Sequence, residues 1–138
     1  MANDTKSGKN RDELLYLRDL YLNEYEMLNA EINNYYMVKD YLDKTLDFLK
    51  NVDKLYKNNV WFPLFNLFVN AKIESIDKFL VYVGGNYSIE MSRDKAIAFF
   101  ESRKKEVNEG LEMASKEKNE LEKRLISIEE QLHGEGGV

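Results

Sequence analysis

Phe79-Leu80-Val81-Tyr82-Val83-Gly84-Gly85-Asn86-Tyr87-Ser88-Ile89-Glu90-Met91 is the stretch around which the rest of the chain makes sense. Apolar and β-branched residues flank Gly84-Gly85-Asn86, and glycine and asparagine tolerate the positive φ that a tight hairpin turn requires. A second unit of the same kind precedes it. Val60 to Leu64 and Leu67 to Ile73 flank a turn near Asn66. In the latter, Leu67, Val69, Ala71 and Ile73 alternate with Phe68, Asn70, Lys72 and Glu74, the period of two that a strand imposes. Pro63 cannot donate to a ladder, so it belongs at an edge or a bulge. Residues 60–91 are therefore expected to form two β-hairpins joined through Glu74 to Lys78.

Two hairpins alone bury too little apolar surface to be stable. These also carry Trp61, Phe62, Phe65, Phe68, Phe79, Tyr82 and Tyr87, which need cover. The economical expectation is that the strands pair with strands of other subunits. Trp61, Phe62, Leu64, Phe68, Val69, Phe79, Val81, Val83, Tyr87 and Ile89 are the residues expected to carry that assembly.

Outward from the hairpins the composition changes. Tyr56 to Ser92 holds three acidic and three basic residues, leaving 22 acidic and 17 basic residues to the flanks. The N-terminal flank has a seven-residue period: Leu14, Tyr21, Leu28, Tyr35, Leu42, Leu49 and Tyr56, with no polar exception. Its companion column (Leu17, Glu24, Glu31, Val38, Thr45, Val52) is ragged, and Tyr25, Ile32 and Leu46 supplement it. The C-terminal flank repeats the arrangement. Phe100, Val107, Ala114, Leu121 and Ile128 are unbroken, while Ile97, Lys104, Leu111, Lys118, Leu125 and Leu132 are interrupted. Heptads of this kind specify a coiled coil.

Asn10 reads as the first helix's N-cap with Glu13 at the third position, and Asn58-Asn59 as its end. Ser92 reads as the second helix's N-cap, with Asp94 favouring the positive helix end. Gly110 interrupts the second helix at a cost of about 1 kcal/mol relative to alanine. His133-Gly134-Glu135-Gly136-Gly137 reads as its stop. Each arm of about 40 residues makes a rod of roughly 60 Å. Two matched arms around a small insert fold back most simply as an antiparallel hairpin. The expected fold is mainly α with a small β part: one domain over 1–138, with helices over 10–58 and 92–133 and two β-hairpins over 60–91.

The chain has 138 residues, a net charge of −5 and a sequence pI near 5.0. Lys and Arg are scattered among Asp and Glu, so no basic stripe marks a nucleic-acid face. Cysteine is absent, which removes thiol chemistry, disulfides and thiolate metal sites. The longest apolar cluster, Val60 to Val69, is far too short to span a bilayer, and Met1 to Arg11 has no secretory character. A cytoplasmic, membrane-free protein is expected. No Gly-rich nucleotide motif occurs. His133, the only histidine, sits beside the tail without the oriented partner that catalysis needs. No catalytic residue, cofactor or metal is assigned.

What remains is apolar surface without a place in the seam. Seven of the nine residues from Leu14 to Leu22 are leucine or tyrosine. Leu121, Leu125, Ile126, Ile128 and Leu132 crowd the other arm's far end, and an antiparallel hairpin brings the two ends together at one tip. A packed tip core is the plain explanation. An apolar surface wider than two helices can bury is the functional one. Leu14, Leu15, Tyr16, Leu22, Leu125, Ile126 and Leu132 are the candidates for such an interaction surface, with Leu15, Tyr16, Leu22 and Ile126 off the main columns.

The ordered set Phe62-Pro63-Leu64, Asn70-Ala71-Lys72-Ile73, Phe79-Leu80-Val81-Tyr82-Val83-Gly84-Gly85 and Tyr87-Ser88-Ile89-Glu90 resembles the double-hairpin core of α-class prefoldin subunits. Ala96-Ile97-Ala98-Phe99-Phe100-Glu101-Ser102-Arg103 resembles the start of that family's second helix, its aromatic pair being most similar to eukaryotic prefoldin subunit 5. The chain departs from the family after Phe62-Pro63-Leu64, where Phe65-Asn66-Leu67-Phe68 stands in place of small or glycine-rich residues. The resemblance implies a hetero-hexamer with β-class subunits, built on a double β-barrel with the arms hanging from it. It implies ATP-independent capture of unfolded or nascent chains, such as actin and tubulin in eukaryotes, and delivery to a group II chaperonin. A coiled-coil adaptor that binds one folded partner is the alternative, marked by sharp selectivity and no effect on denatured proteins.

Overall fold

A computed structural model describes residues 2–136, and the side chains of 10–134. The order is helix α1 (Ala2–Asn51), a short 3₁₀ turn (Val52–Lys54), strands β1 (Asn59–Leu64), β2 (Leu67–Lys72), β3 (Lys78–Gly84) and β4 (Tyr87–Ser92), and helix α2 (Arg93–Gly136). The helix–double hairpin–helix plan is the one expected. Contacts divide the chain into two compact units, residues 1–37 with 108–138, and residues 38–107.

In the first unit α1 and α2 run antiparallel. Arg18 meets Glu129, Tyr25 donates its hydroxyl hydrogen to Glu122 at 3.0 Å, and Tyr35 lies against Gly110. The seam buries Ile32 from α1 and Ala114, Leu121, Ile128 and Leu132 from α2. The tyrosines of the α1 column are half-buried, because a ring can fill the seam while its hydroxyl reaches water or a carboxylate. The Tyr35 hydroxyl donates to Glu31 at 3.2 Å, and that bond raises its pKa above the ordinary phenol range.

Gly110 is explained by its neighbour. A Cβ at this position would lie 2.7 Å from the Tyr35 ring and hydroxyl, so the glycine makes room for a large side chain on the facing helix. The unfavourable helix propensity is thus offset by packing.

The second unit holds the hairpins. β1 pairs with β2 and β3 with β4 in two separate two-stranded antiparallel sheets. The first closes at Leu64↔Leu67 around Phe65-Asn66. The second closes at Gly84↔Tyr87 around Gly85-Asn86, with a register shift between Tyr82 and Gly84. Gly84, Gly85 and Asn86 all have positive φ (101°, 58° and 64°), which is why this tripeptide makes the turn. Val81 packs with Leu49 of α1 and Ala96 of α2 in a small core, flanked by Phe79, Val83, Met91, Ile97, Phe99 and Phe100.

The helix limits differ from expectation. α1 begins at Ala2, so Asn10 and Glu13 lie inside it: nothing from Ala2 to Lys9 breaks the helical turn. It ends at Asn51 rather than Asn58, because the chain tightens into the 3₁₀ turn around fully buried Val52 and then reverses at Lys57 (φ 62°). Asn58 serves that reversal, its side-chain amide donating to the Lys54 carbonyl at 2.8 Å. Ile73 falls outside β2 and forms an isolated bridge with Tyr56, where the Lys57 N–H donates to the Ile73 carbonyl. Ser92 does cap α2, its hydroxyl accepting from the Lys95 N–H at 3.3 Å. The glycine tail does not stop that helix at His133; α2 continues to Gly136, and Gly137 lies outside the described residues.

A clasp holds the end of α1 to the start of α2. The Arg93 guanidinium donates to the carbonyls of Leu49 (2.8 Å) and Lys50 (3.1 Å) and to the Asp53 carboxylate (2.8 Å). Those carbonyls belong to a helix's last turn, where no intrahelical partner exists. Asp43 also pairs with Lys104 across the helices, and that hydrogen bond holds its carboxyl below the ordinary range.

Two outcomes are expected. Gly110→Ala stabilises a Tyr35→Ala background by about 1 kcal/mol but gains little beside Tyr35, as thermal melts followed by circular dichroism will show; an equal gain in both backgrounds contradicts the packing account. Arg93→Lys, which keeps the charge but loses the planar fork, lowers stability by roughly 1–2 kcal/mol, a few degrees in Tm. A melt unchanged by that substitution removes the clasp from the argument.

Candidate functional site: the apolar arm end and the hairpin faces

The arm-end candidates all lie in the first unit. Helix periodicity sets Leu15 and Leu22, seven residues apart, on one side of the α1 seam, and Tyr16 and Leu20 on the other. Tyr16 (69%), Ile126 (59%), Leu20 and Leu22 are exposed. Leu14, Leu15 and Leu125 are half-buried. Leu132 is buried in the seam and offers no free surface, because its column position points it at α1. Leu20 belongs with the exposed group although its place among the candidates was not singled out; its spacing of four from Tyr16 was the available signal.

The hairpins divide the assembly candidates into two kinds. Val81 is buried, and half-buried Phe79 and Val83 pack beside it against the helices. These three residues hold β3 to the chain's own core and are not free for a neighbour. Trp61 (64%), Leu64, Phe68 (67%), Val69, Tyr87 and Ile89 are exposed, and Phe62 is half-buried. No residue of β1 or β2 is buried. Leu80 and Tyr82, on the β3 face opposite Val81, are exposed as well. Each hairpin therefore presents apolar faces and unpaired strand edges within this chain.

Phe65 stands apart. It occupies the left-handed region (φ 55°) at the tip of the first hairpin and is fully exposed. A bulky residue there is strained, and nothing within the chain repays it.

Among the described residues no group of His, Asp and Glu is placed to hold a metal. His133 is exposed at the surface, 3.6 Å from Glu129. No helix among the described residues is long and apolar enough to cross a membrane. The chemistry this surface offers is non-covalent: strand pairing and apolar contact.

The model of the prefoldin subunit family matches residues 21–136. The chain belongs to the prefoldin family. Prefoldin subunit alpha of Thermofilum pendens is 30% identical over 93 residues, covering 66% of this chain and 72% of that protein. Prefoldin subunit alpha of Pyrococcus horikoshii is 26% identical over 126 residues, covering 89% and 85%. Among solved structures, filamentous PFD from Methanocaldococcus jannaschii, determined by cryo-EM, superposes with a TM-score of 0.69 at 26% identity, covering 80% of this chain and 93% of that one. Prefoldins are chaperones, so the relevant surfaces are those that bind other chains.

Replacing Phe65 with glycine relieves the positive φ and removes no internal contact. It is expected to stabilise the isolated chain by roughly 1 kcal/mol. A lower Tm for Phe65→Gly means that the ring packs within the chain.

Proposed function

We propose that this prefoldin is one subunit of a hetero-oligomeric co-chaperone. Its hairpins join it to β-class subunits, and its arm end captures unfolded or nascent polypeptide and passes it, without nucleotide, to a group II chaperonin in the cytoplasm. The observation that carries the reading is the exposure of large apolar side chains at both places: Trp61, Leu64 and Phe68 on a hairpin without a core of its own, and Tyr16, Leu22 and Ile126 beside the arm seam. Exposed patches of this extent mark interaction sites. The relatives named prefoldin subunit alpha support the assembly.

Capture by such a surface is a sum of weak contacts. Each is reversible, and several arms acting together raise avidity without one tight site. The strained turn at Phe65 belongs to the assembly side, where contact with a neighbour can offset its cost.

The test has two stages. Light-scattering mass after size-exclusion chromatography, on this chain mixed with a β-class subunit, is expected to show a particle near hexamer mass. That particle should suppress aggregation of a denatured protein, and Leu15, Tyr16, Leu22 and Ile126 changed together to Ser should weaken suppression severalfold while leaving the mass unchanged. Full suppression by the variant refutes the arm-end assignment. A particle without effect on any denatured protein favours an adaptor for one folded partner.

A further inference from the structure

Charge is divided between the two units. Residues 1–37 with 108–138 carry fifteen acidic and eight basic residues, a net −7, whereas residues 38–107 carry ten acidic and twelve basic ones, a net +2. The chain's net negative charge thus resides on the arm unit. Part of it is organised around a cavity.

An open groove of about 360 Å³ lies between α1 and α2, lined by Glu24, Met27, Leu28 and Glu31 of the first helix and Glu117, Glu120, Leu121 and Arg124 of the second. Its floor is apolar: Leu121 is buried and Leu28 half-buried, while Met27 is 73% exposed. Its rim is four carboxylates. Among the described residues none of the four is in an ion pair, and the one rim cation, Arg124, stacks over the Tyr21 ring at 5.7 Å to the centroid. The groove is also continuous with the exposed apolar surface. Tyr16, Leu20, Glu24, Met27 and Glu31 follow one another at spacings of three and four, so they form a single stripe along α1. The stripe alternates apolar groups with negative charge.

We infer that this groove takes a cationic, apolar segment of an unfolded client chain: a large apolar side chain between basic residues. Met27 offers an adaptable thioether surface to an apolar side chain of any shape. Glu24 and Glu31 lie seven helical residues apart, roughly 10 Å along the axis, the span of about three extended residues. The basic residues of an extended basic–apolar–basic tripeptide lie about 7 Å apart at the backbone, and their long, flexible side chains span the remainder, so each reaches a carboxylate while the apolar side chain between them lies against Leu28 and Leu121. Four carboxylates without an ion-pair partner among the described residues, one of them (Glu31) accepting the Tyr35 hydroxyl, repel one another, and a bound cationic segment relieves that repulsion, so complementarity selects against acidic segments as well as for basic ones. The inference rests on the reading of the chain as a client-binding subunit, and it adds a charge preference and a place on the arm's side.

The probe is a fluorescent, unstructured 12-residue peptide of leucines each flanked by lysines, compared by anisotropy with its glutamate-flanked counterpart on the full chain. The lysine peptide is expected to bind about tenfold or more tighter, the sum of a few exposed ion pairs. Glu24→Gln, Glu31→Gln, Glu117→Gln and Glu120→Gln together should abolish the difference. Asp19→Asn, Glu26→Gln, Glu112→Gln and Glu130→Gln remove the same charge from other faces of the arm and should largely preserve it. Equal affinity for the two peptides, or equal loss in the two variants, overturns the groove and leaves only diffuse attraction. Failure of the chaperone reading shows itself separately, as a hexameric particle that suppresses no aggregation whichever peptide the arm prefers.

Discussion

A two-stranded hairpin has two faces and two edges, and it cannot cover both faces with its own residues. That constraint organises this molecule. The second hairpin solves half of its problem by laying Val81 on Leu49 and Ala96, so that one face becomes part of the helical core. The first solves nothing by itself; it hangs from a single bridge at Tyr56 and Ile73 and buries none of its residues. The apolar surface left over is what suits the chain to association. The Arg93 clasp matters because it fixes the helix ends from which both hairpins spring.

The arm unit answers a different demand. It must be stable enough to stand as a pair of helices and still leave apolar groups uncovered. Tyrosine serves both ends, since Tyr25 and Tyr35 fill the seam with rings and spend their hydroxyls on Glu122 and Glu31. A leucine in those places would pack against the seam but offer no hydroxyl to a neighbouring carboxylate. Gly110 shows how far the seam adapts to such rings.

Most of this was legible in the sequence. The period of two, the Gly84-Gly85-Asn86 turn and the strict heptad column led to the right elements in the right order, because each is a local signal. The helix limits were less legible. Asn10 has the chemistry of a cap, but capping is used only where the helix has another reason to stop, and none arises before it. The end of α1 at Asn51 goes with the burial of Val52 and with last-turn carbonyls that Arg93, some forty residues away, accommodates, and no local pattern announces it. Among the four off-column candidates, Tyr16, Leu22 and Ile126 are exposed and Leu15 is half-buried. The period of two could not separate Val81 from Ile89: both alternate correctly, and only the position of the helices decides which face is covered. The groove at Leu28 and Leu121 was equally hidden, since it needs residues from both arms brought together.

The contact between Arg18 and Glu129 joins residues 111 positions apart. On a ribosome adding about 5–20 residues per second, the first arm emerges several seconds before its partner helix exists. Through that interval its leucine and tyrosine column faces solvent with nothing to pack against. The chain thus begins life resembling the polypeptides that its family serves, and it leaves that condition only when the last helix closes the seam.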